Sequence, residues 1–302
     1  MRFLVHGAAG FVGSALISHL NRTHVDELIL TDRRPLEDWA DRLAEVWGSE
    51  VTALQSDRLS DLDLPQIDVA MVLAGQTDVD EGLLHPSRSF QANTEIAIDV
   101  SEWLLRSPGT RVVYMSSDET LGESYIPLSE DAVMAPTQPY AASKATAEMI
   151  IDCYRRAYGL EFVVLRSCNL VGVQNNCRKL IPTAVEYLTE GQPVPVYGDG
   201  KYRREWLAVE DLCEAIRVLA FADYPLSLYH CSSGVHLGVI EVIELVAEAL
   251  GVEPKWSHVA DRLVHDRCYS MDSSRLRSFG WSPRYEVTGA IKLAAKTLAG
   301  AL

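Results

Sequence analysis

Tyr140 and Lys144 stand four residues apart in "PYAASKA", at the start of a stretch with helical periodicity, so both side chains project from one helix face. A lysine ammonium beside a phenol stabilises the phenolate and lowers the tyrosine's pKa, which makes the phenol usable as a base near neutral pH. Ser117 ends the β-prone run "RVVYMSS", where its hydroxyl can bond the same substrate hydroxyl. Taken alone, Tyr-x-x-x-Lys is also an ordinary helical surface pair.

A second constellation gives that pair a context. "HGAAGFVGSALISHL" places glycines at Gly7, Gly10 and Gly13, directly after the β-prone "RFLVH" and ahead of Ala15, Leu16 and Leu20 at helical spacing. In a strand–turn–helix setting Gly7 permits the sharp turn, Gly10 lets a diphosphate approach the backbone and Gly13 lets the helix pack on the strand. The helix N-terminus then turns free N–H groups and its positive dipole end to the diphosphate. The triplet alone also fits a plain glycine-rich turn that opens a helix. Asp32 follows the next β-prone run, "ELILT", about 20 residues beyond the glycines, where a dinucleotide fold places the acid that bonds the adenosine ribose. A carboxylate there repels a 2′-phosphate and favours NAD over NADP. Arg33 and Arg34 come next and either suit such a phosphate or form a solvated loop pair.

The elements that must position these groups alternate. Short apolar runs at Phe3–Val5, Leu28–Leu30, Val51–Leu54, Val69–Leu73, Arg111–Met115 and Phe162–Leu165 are separated by helical patterns such as Ala92–Leu105 and Ser143–Tyr158. This alternation predicts an α/β fold, a Rossmann-type doubly wound parallel sheet with helices on both faces, and ligands beyond the carboxyl ends of the strands. From about Cys168 the texture changes: "EGQPVPVYGDGKYRREW" reads as loops with short strands, followed by helical stretches at Val239–Leu250 and Ala290–Leu298. The expected organisation is an NAD-binding Rossmann domain over 1–167, with a returning segment near 205–232. A smaller, partly interleaved C-terminal α/β substrate domain covers most of 168–302.

Bulk properties narrow the function. The 302 residues, 48% hydrophobic and 23% charged, are ordinary globular composition. A net charge of −15 argues against a general nucleic-acid surface, so an anionic substrate must be met by a few local cations. No export leader and no run of about 18 apolar residues is visible, which predicts a cytoplasmic protein without membrane attachment. The six cysteines (Cys153, Cys168, Cys177, Cys213, Cys231 and Cys268) include no C-x-x-C pair, which suits reduced thiols and no metal site.

Over nearly its whole length the chain resembles the extended short-chain dehydrogenases/reductases, and within them the nucleotide-sugar 4,6-dehydratases of the dTDP-glucose 4,6-dehydratase type. The resemblance rests on "GAAGFVGS", "LAGQTDVD", "MSSDETLGE", "PYAASKA", "LRSCNLVG", "KLIP", "PVYGDGKYRREW", "HDRCYSMD" and "FGWSPRYE". "SSDE" and "HDRCY" are the segments most particular to the dehydratases. It implies that Tyr140 takes the proton of the sugar C4 hydroxyl while NAD accepts the C4 hydride. Lys144 then holds the tyrosine and the nicotinamide ribose, and Ser117 stands where threonine is usual. The 4-ketone acidifies C5; Glu119 removes that proton, Asp118 protonates the departing C6 hydroxyl, and the hydride returns to C6. Adjacent carboxyls with opposite duties require environments that keep one protonated and the other ionised.

The same resemblance assigns cofactor contacts to Gly7, Gly10, Phe11, Val12 and Gly13 in the first turn, and to Asp32, Arg33 and Asp57 after the next strands. Leu73, Ala74 and Gly75 join them, beside Tyr140 and Lys144. Substrate contacts fall on Thr77, Asn169, Lys179, Leu180, Arg204 and Arg267, and a homodimer through a four-helix bundle is implied. The departures are Leu121 and Val171 for tyrosines, Asp78 and Glu81 for a histidine and an arginine, Glu205 for aspartate and Cys268 for an arginine. Two other readings remain open. A UDP-sugar 4-epimerase shares Tyr140, Lys144 and NAD but has no use for Asp118 and Glu119. A non-catalytic cofactor-binding module on this fold can dispense with the Tyr–Lys pair.

Overall fold

The computed structural model describes residues 1–20, 25–40, 51–173, 179–222 and 227–300. Its largest element is a seven-stranded parallel sheet in the order β10-β6-β5-β4-β1-β2-β3. The strands are β1 (Arg2–His6), β2 (Glu27–Asp32), β3 (Val51–Gln55), β4 (Val69–Val72), β5 (Arg111–Ser117), β6 (Phe162–Ser167) and β10 (Leu228–Cys231). β1 lies between β2 and β4, with Phe3 opposite both Leu28 and Val69. The order therefore reverses at β1 and β4, and the crevice beyond their carboxyl ends is where this fold takes ligands.

Successive side chains of each strand go to opposite faces, and both faces are apolar. Phe3 and Val5 join Leu28, Leu30, Met71 and Val113 in one core. This core is covered by α1 (Phe11–Leu20) and, further along the chain, by α6 (Val209–Phe221). Leu4, Ile29, Ala70, Val112 and Tyr114 point the other way, against α3 (Pro86–Leu105) and α4 (Pro139–Tyr158). Both of these helices begin earlier than their apolar periodicity, because proline fits the first helical position. The short α2 (Val79–Leu84) precedes α3.

A separate core forms around α5 (Leu180–Thr189), α7 (Val239–Leu250) and α8 (Val287–Ala299), with Ile181, Val185, Val242, Val246, Ile291 and Ala295 at its centre. Two small sheets sit beside it. β7 (Asn169–Val171) pairs in parallel with β9 (Arg203–Ala208), which pairs antiparallel with β11 (His236–Gly238); β8 (Val194–Tyr197) pairs with β12 (Trp256–Val259). The chain runs from β9 straight into α6 and back to the large sheet through β10. Among the described residues no helix is long and apolar enough to cross a membrane. Cys153, Cys168, Cys213, Cys231 and Cys268 are free thiols, and Cys177 lies outside the described residues.

Candidate active site

One cavity of about 1020 Å³ runs from the turn after β1, past the ends of β4 and β5, to α5 and β8. At the first end Gly7 has φ +90, and a Cβ on it would lie 2.6 Å from the Ala74 backbone nitrogen. A Cβ on Gly13 would stand 2.3 Å from the Gly7 carbonyl oxygen, so the turn and helix close only without side chains at these positions. Gly10, Phe11, Val12, Leu73 and Gly75 line the cavity, while Ala74 backs Gly7. Asp32 is buried beside the turn; Oδ2 accepts from Ala9 N at 3.0 Å and Oδ1 from Arg34 N at 3.1 Å. The arginine over the turn is Arg34, which donates to the Ala9 carbonyl at 2.9 Å and lines the cavity. Arg33 and Asp57 are exposed outside that lining, and Asp32 also stands behind it. The pairing with Asp32 explains the exchange of arginines: the guanidinium two residues on folds back over its carboxylate (Nε–Oδ1 3.6 Å).

The end of β5 supplies the chemistry. Three successive residues make side-chain or carbonyl contacts there: the Met115 carbonyl accepts from Lys144 Nζ at 2.7 Å, the Ser116 hydroxyl donates to Glu148, and Ser117 Oγ donates to Asp118 Oδ1 at 3.1 Å. Ser117 Oγ also accepts from Glu119 N, capping a 3-10 turn over Asp118–Leu121. Tyr140 and Lys144 rise from the first turns of α4, both buried, with the Tyr140 phenol beside Ser117. Ser117, Asp118, Glu119, Tyr140 and Lys144 thus meet on one wall of the cavity.

The two carboxyls are not equivalent. Burial, and then the charge of Glu119, push Asp118 up to about 8; its Oδ2 is buried without a hydrogen-bond partner among the described residues. Glu119 is also raised by burial, but Arg204, Lys179 and a hydrogen bond from Gln138 oppose the shift. Burial thus favours the protonated form of Asp118. The expectation that Lys144 lowers Tyr140 is corrected: burial and the charges of Glu119 and Asp118 hold the phenol above its ordinary value, with the Ser117 bond acting against them. The ammonium is instead bonded to the Met115 carbonyl, and burial brings it down to about 8 despite Glu148.

Opposite this wall, Lys179 donates to the Thr77 carbonyl at 2.7 Å, and Thr77, Asn169 and Leu180 line the same space. Arg204 spans the Asp266 carbonyl at 2.9 Å and the Tyr269 ring at 4.6 Å. Arg267 is turned away: it pairs with Asp199 at 2.7 Å, stacks on Tyr202 at 4.6 Å, and is outside the cavity lining. The arginine beside Arg204 on this side of the cavity is Arg262, held by Asp80 at 2.6 and 2.9 Å and lying over Tyr197 at 4.7 Å. Sequence spacing cannot choose between arginines five residues apart in an irregular segment. Gln138 is a further lining residue that carried no motif signal, and His265 and Tyr269, the two ends of "HDRCY", line the cavity although neither was given a role.

Several departures have structural explanations. Asp78 caps α2 by accepting from Glu81 N at 3.1 Å, and Leu121 and Val171 are buried in the two cores. Glu205 is buried and accepts from the backbone N–H groups of Gly234 and Met271.

The model of the NAD dependent epimerase/dehydratase family matches residues 3–224. The low-salt glycan biosynthesis protein Agl12 of Haloferax volcanii is 30% identical over 292 residues, covering 94% of each chain. A dTDP-glucose 4,6-dehydratase of Streptomyces antibioticus is 32% identical over 314 residues, 96% of this chain and 90% of that one. Among solved structures, DesIV, a dTDP-glucose 4,6-dehydratase from Streptomyces venezuelae with NAD and TYD bound, superposes with a TM-score of 0.91. It is 29% identical and covers 98% of this chain and 96% of that chain.

Proposed function

Because the chain belongs to the NAD dependent epimerase/dehydratase family, we propose that it is a nucleotide-sugar 4,6-dehydratase, a hydro-lyase acting on dTDP-glucose or a close relative. The observation that carries this reading is the inequality of Asp118 and Glu119. Asp118 is buried with Oδ2 lacking a hydrogen-bond partner among the described residues, while Glu119 beside it accepts from Gln138 and faces Arg204, Lys179 and Arg262, at the end of the strand that faces Tyr140. An epimerase needs no such pair.

NAD fits the glycine turn, where a side chain at Gly7 or Gly13 would collide with backbone, and it supplies the acceptor that takes the C4 hydride and gives it back at C6. Gly7, Gly10, Phe11, Val12, Tyr140 and Lys144 would hold the cofactor, with Asp32 behind the turn on the side its adenosine ribose would take. Tyr140, whose phenol is held above its ordinary value in the chain alone, would take the C4 hydroxyl proton as phenolate once the positive charge of the bound nicotinamide lowers it. Glu119 takes the proton from C5, and Asp118 gives its own to the C6 oxygen, which leaves as water. Glu119 later returns its proton to C5. Tyr140 has then gained a proton and Asp118 has lost one, and Ser117 Oγ, which donates to Asp118 and adjoins the Tyr140 phenol, is the path that restores them. Arg204, Lys179 and Arg262 supply the cations for the diphosphate, and Asn169 a neutral donor. Residues 1–167 with the return through α6 and β10 serve the cofactor, and most of the remainder serves the sugar nucleotide.

We further assign the protein to the cytoplasm and to a homodimer formed through α3 and α4. In the stripe at Met149, Ile150 and Cys153, Met149 and Cys153 are exposed, while Ile150 is half-buried against the core of the same chain. Incubating the purified protein with a panel of dTDP-, UDP- and other nucleotide hexoses tests the activity. Loss of one water from a product, detected by mass, supports the dehydratase. Interconversion at constant mass would move the assignment to a 4-epimerase.

A further inference from the structure

Gln138 lies between the oxidising and eliminating halves of the site, buried, with both polar ends of its side chain engaged. Oε1 accepts the Tyr140 backbone N–H at 2.7 Å and so caps α4. Nε2 donates to Glu119 Oε2 at 2.6 Å. An amide has one accepting end and one donating end, and a helix N-terminus offers only N–H groups. The carbonyl end is therefore committed to the helix, and the end that meets Glu119 has to be a donor. A donor on a carboxylate oxygen favours the ionised form. Asp118 receives only the Ser117 hydroxyl, on Oδ1, and Oδ2 is without a partner among the described residues.

From this arrangement we propose that Gln138 is a positioning residue, which selects Glu119 rather than Asp118 as the ionised member of the pair and ties that carboxylate to the helix bearing Tyr140. The selection is a property of the protein alone; its use in removing the C5 proton rests on the dehydratase assignment. The other charged or titratable groups facing Glu119 are Asp118 on its own turn, Tyr140 on α4, Arg204 on β9 and Lys179 ahead of α5. Arg262 and Tyr269 face it from the C-terminal segment. The three cations favour its charge and the acids oppose it. Gln138 differs from all of them in being hydrogen-bonded to the carboxylate itself.

Two variants separate the donor from the cap. Gln138→Ser keeps a hydroxyl that caps helices well and is too short to reach Glu119. Gln138→Glu keeps an accepting oxygen for Tyr140 N–H and sets a second carboxyl against Glu119. The readout is an infrared titration of the Glu119 carboxyl, identified by its loss in Glu119→Gln. Both variants are expected to raise the pH at which Glu119 ionises by about one unit or more, Gln138→Glu the further. The acid limb of solvent deuterium exchange at sugar C5 moves up with it, so that activity lost at neutral pH returns at higher pH. An unshifted titration in both folded variants overturns the proposal. So does a wild-type Glu119 still protonated at pH 7, a measurement that needs no change at Gln138. A shifted titration in a protein that removes water from no nucleotide sugar leaves the role of Gln138 standing and ends the dehydratase assignment.

Discussion

At the scale of single residues, the site separates two jobs that identical side-chain chemistry would otherwise confuse. Glu119→Gln removes the group assigned to C5 while leaving Tyr140 and Lys144 in place. Bound NAD should still be reduced by the sugar, with water loss and C5 exchange slowed by ~10²–10⁴-fold. Tyr140→Phe should instead suppress NADH formation from the outset. Transient absorbance at the NADH band, followed beside deuterium exchange, reads both steps. Equal loss of both steps in Glu119→Gln would contradict the separation.

Asp118 also links the site to stability. Its folded pKa, about 8, exceeds the unfolded carboxyl value of about 4, so between those values the native state holds a proton that the unfolded chain has released. Stability from this group is full below the lower value and declines as pH rises toward the upper one, by at most about 1.4 kcal/mol per unit. Asp118→Asn, neutral throughout, should therefore raise the melting temperature more at pH 8 than at pH 5. An equal gain at both would show that Asp118 is ionised in the folded protein.

At the scale of elements, α4 is held to the sheet by a buried polar contact as well as by its apolar face. Arg166 of β6 bonds Glu148 through Nε and Nη2, at 2.7 to 3.1 Å, and Ser116 of β5 donates to the same carboxylate. Glu148 is one helical turn beyond Lys144, and its charge supports the ammonium. Removing one partner leaves the other charge buried, which costs about 3–5 kcal/mol, whereas apolar replacement of both is often close to neutral. Arg166→Leu is expected to lower the denaturation midpoint accordingly, and the double variant with Glu148→Met to recover most of the loss. Failure of the double variant to recover would mean that packing rather than charge dominates at this contact.

At the scale of the whole molecule, the cavity is closed by contacts between distant segments. Asp80 of α2, Tyr197 of β8 and Arg262 after β12 converge there, and Lys179 reaches back to Thr77. On the outer side of the sheet, α3 and α4 pack on each other and expose Phe90, Ile98, Met149 and Tyr158 together. Association through this face predicts a dimer in sedimentation at micromolar concentration, and a monomer when Ile98→Asp is combined with Met149→Glu. A wild-type monomer, or a dimer indifferent to those changes, would exclude this interface.

The sequence by itself determined the parallel sheet, the glycine turn and the wall carrying Ser117, Asp118, Glu119, Tyr140 and Lys144. These depend on short-range periodicity and on residues joined to one strand end or one helical turn, so local spacing is enough to place them. It determined the substrate side only in part: Thr77, Asn169, Lys179, Leu180 and Arg204 face the cavity, but Arg267 does not. Only the tertiary structure chose Arg262 over Arg267 and Arg34 over Arg33, because each choice follows from a carboxylate partner (Asp80, Asp199 or Asp32) fixed by folding. It alone showed Gln138 joined to Glu119, and Tyr140 raised rather than lowered. Proton affinity is set by burial and by the sum of charges around a group, and neither quantity exists until segments from both ends of the chain have been packed together.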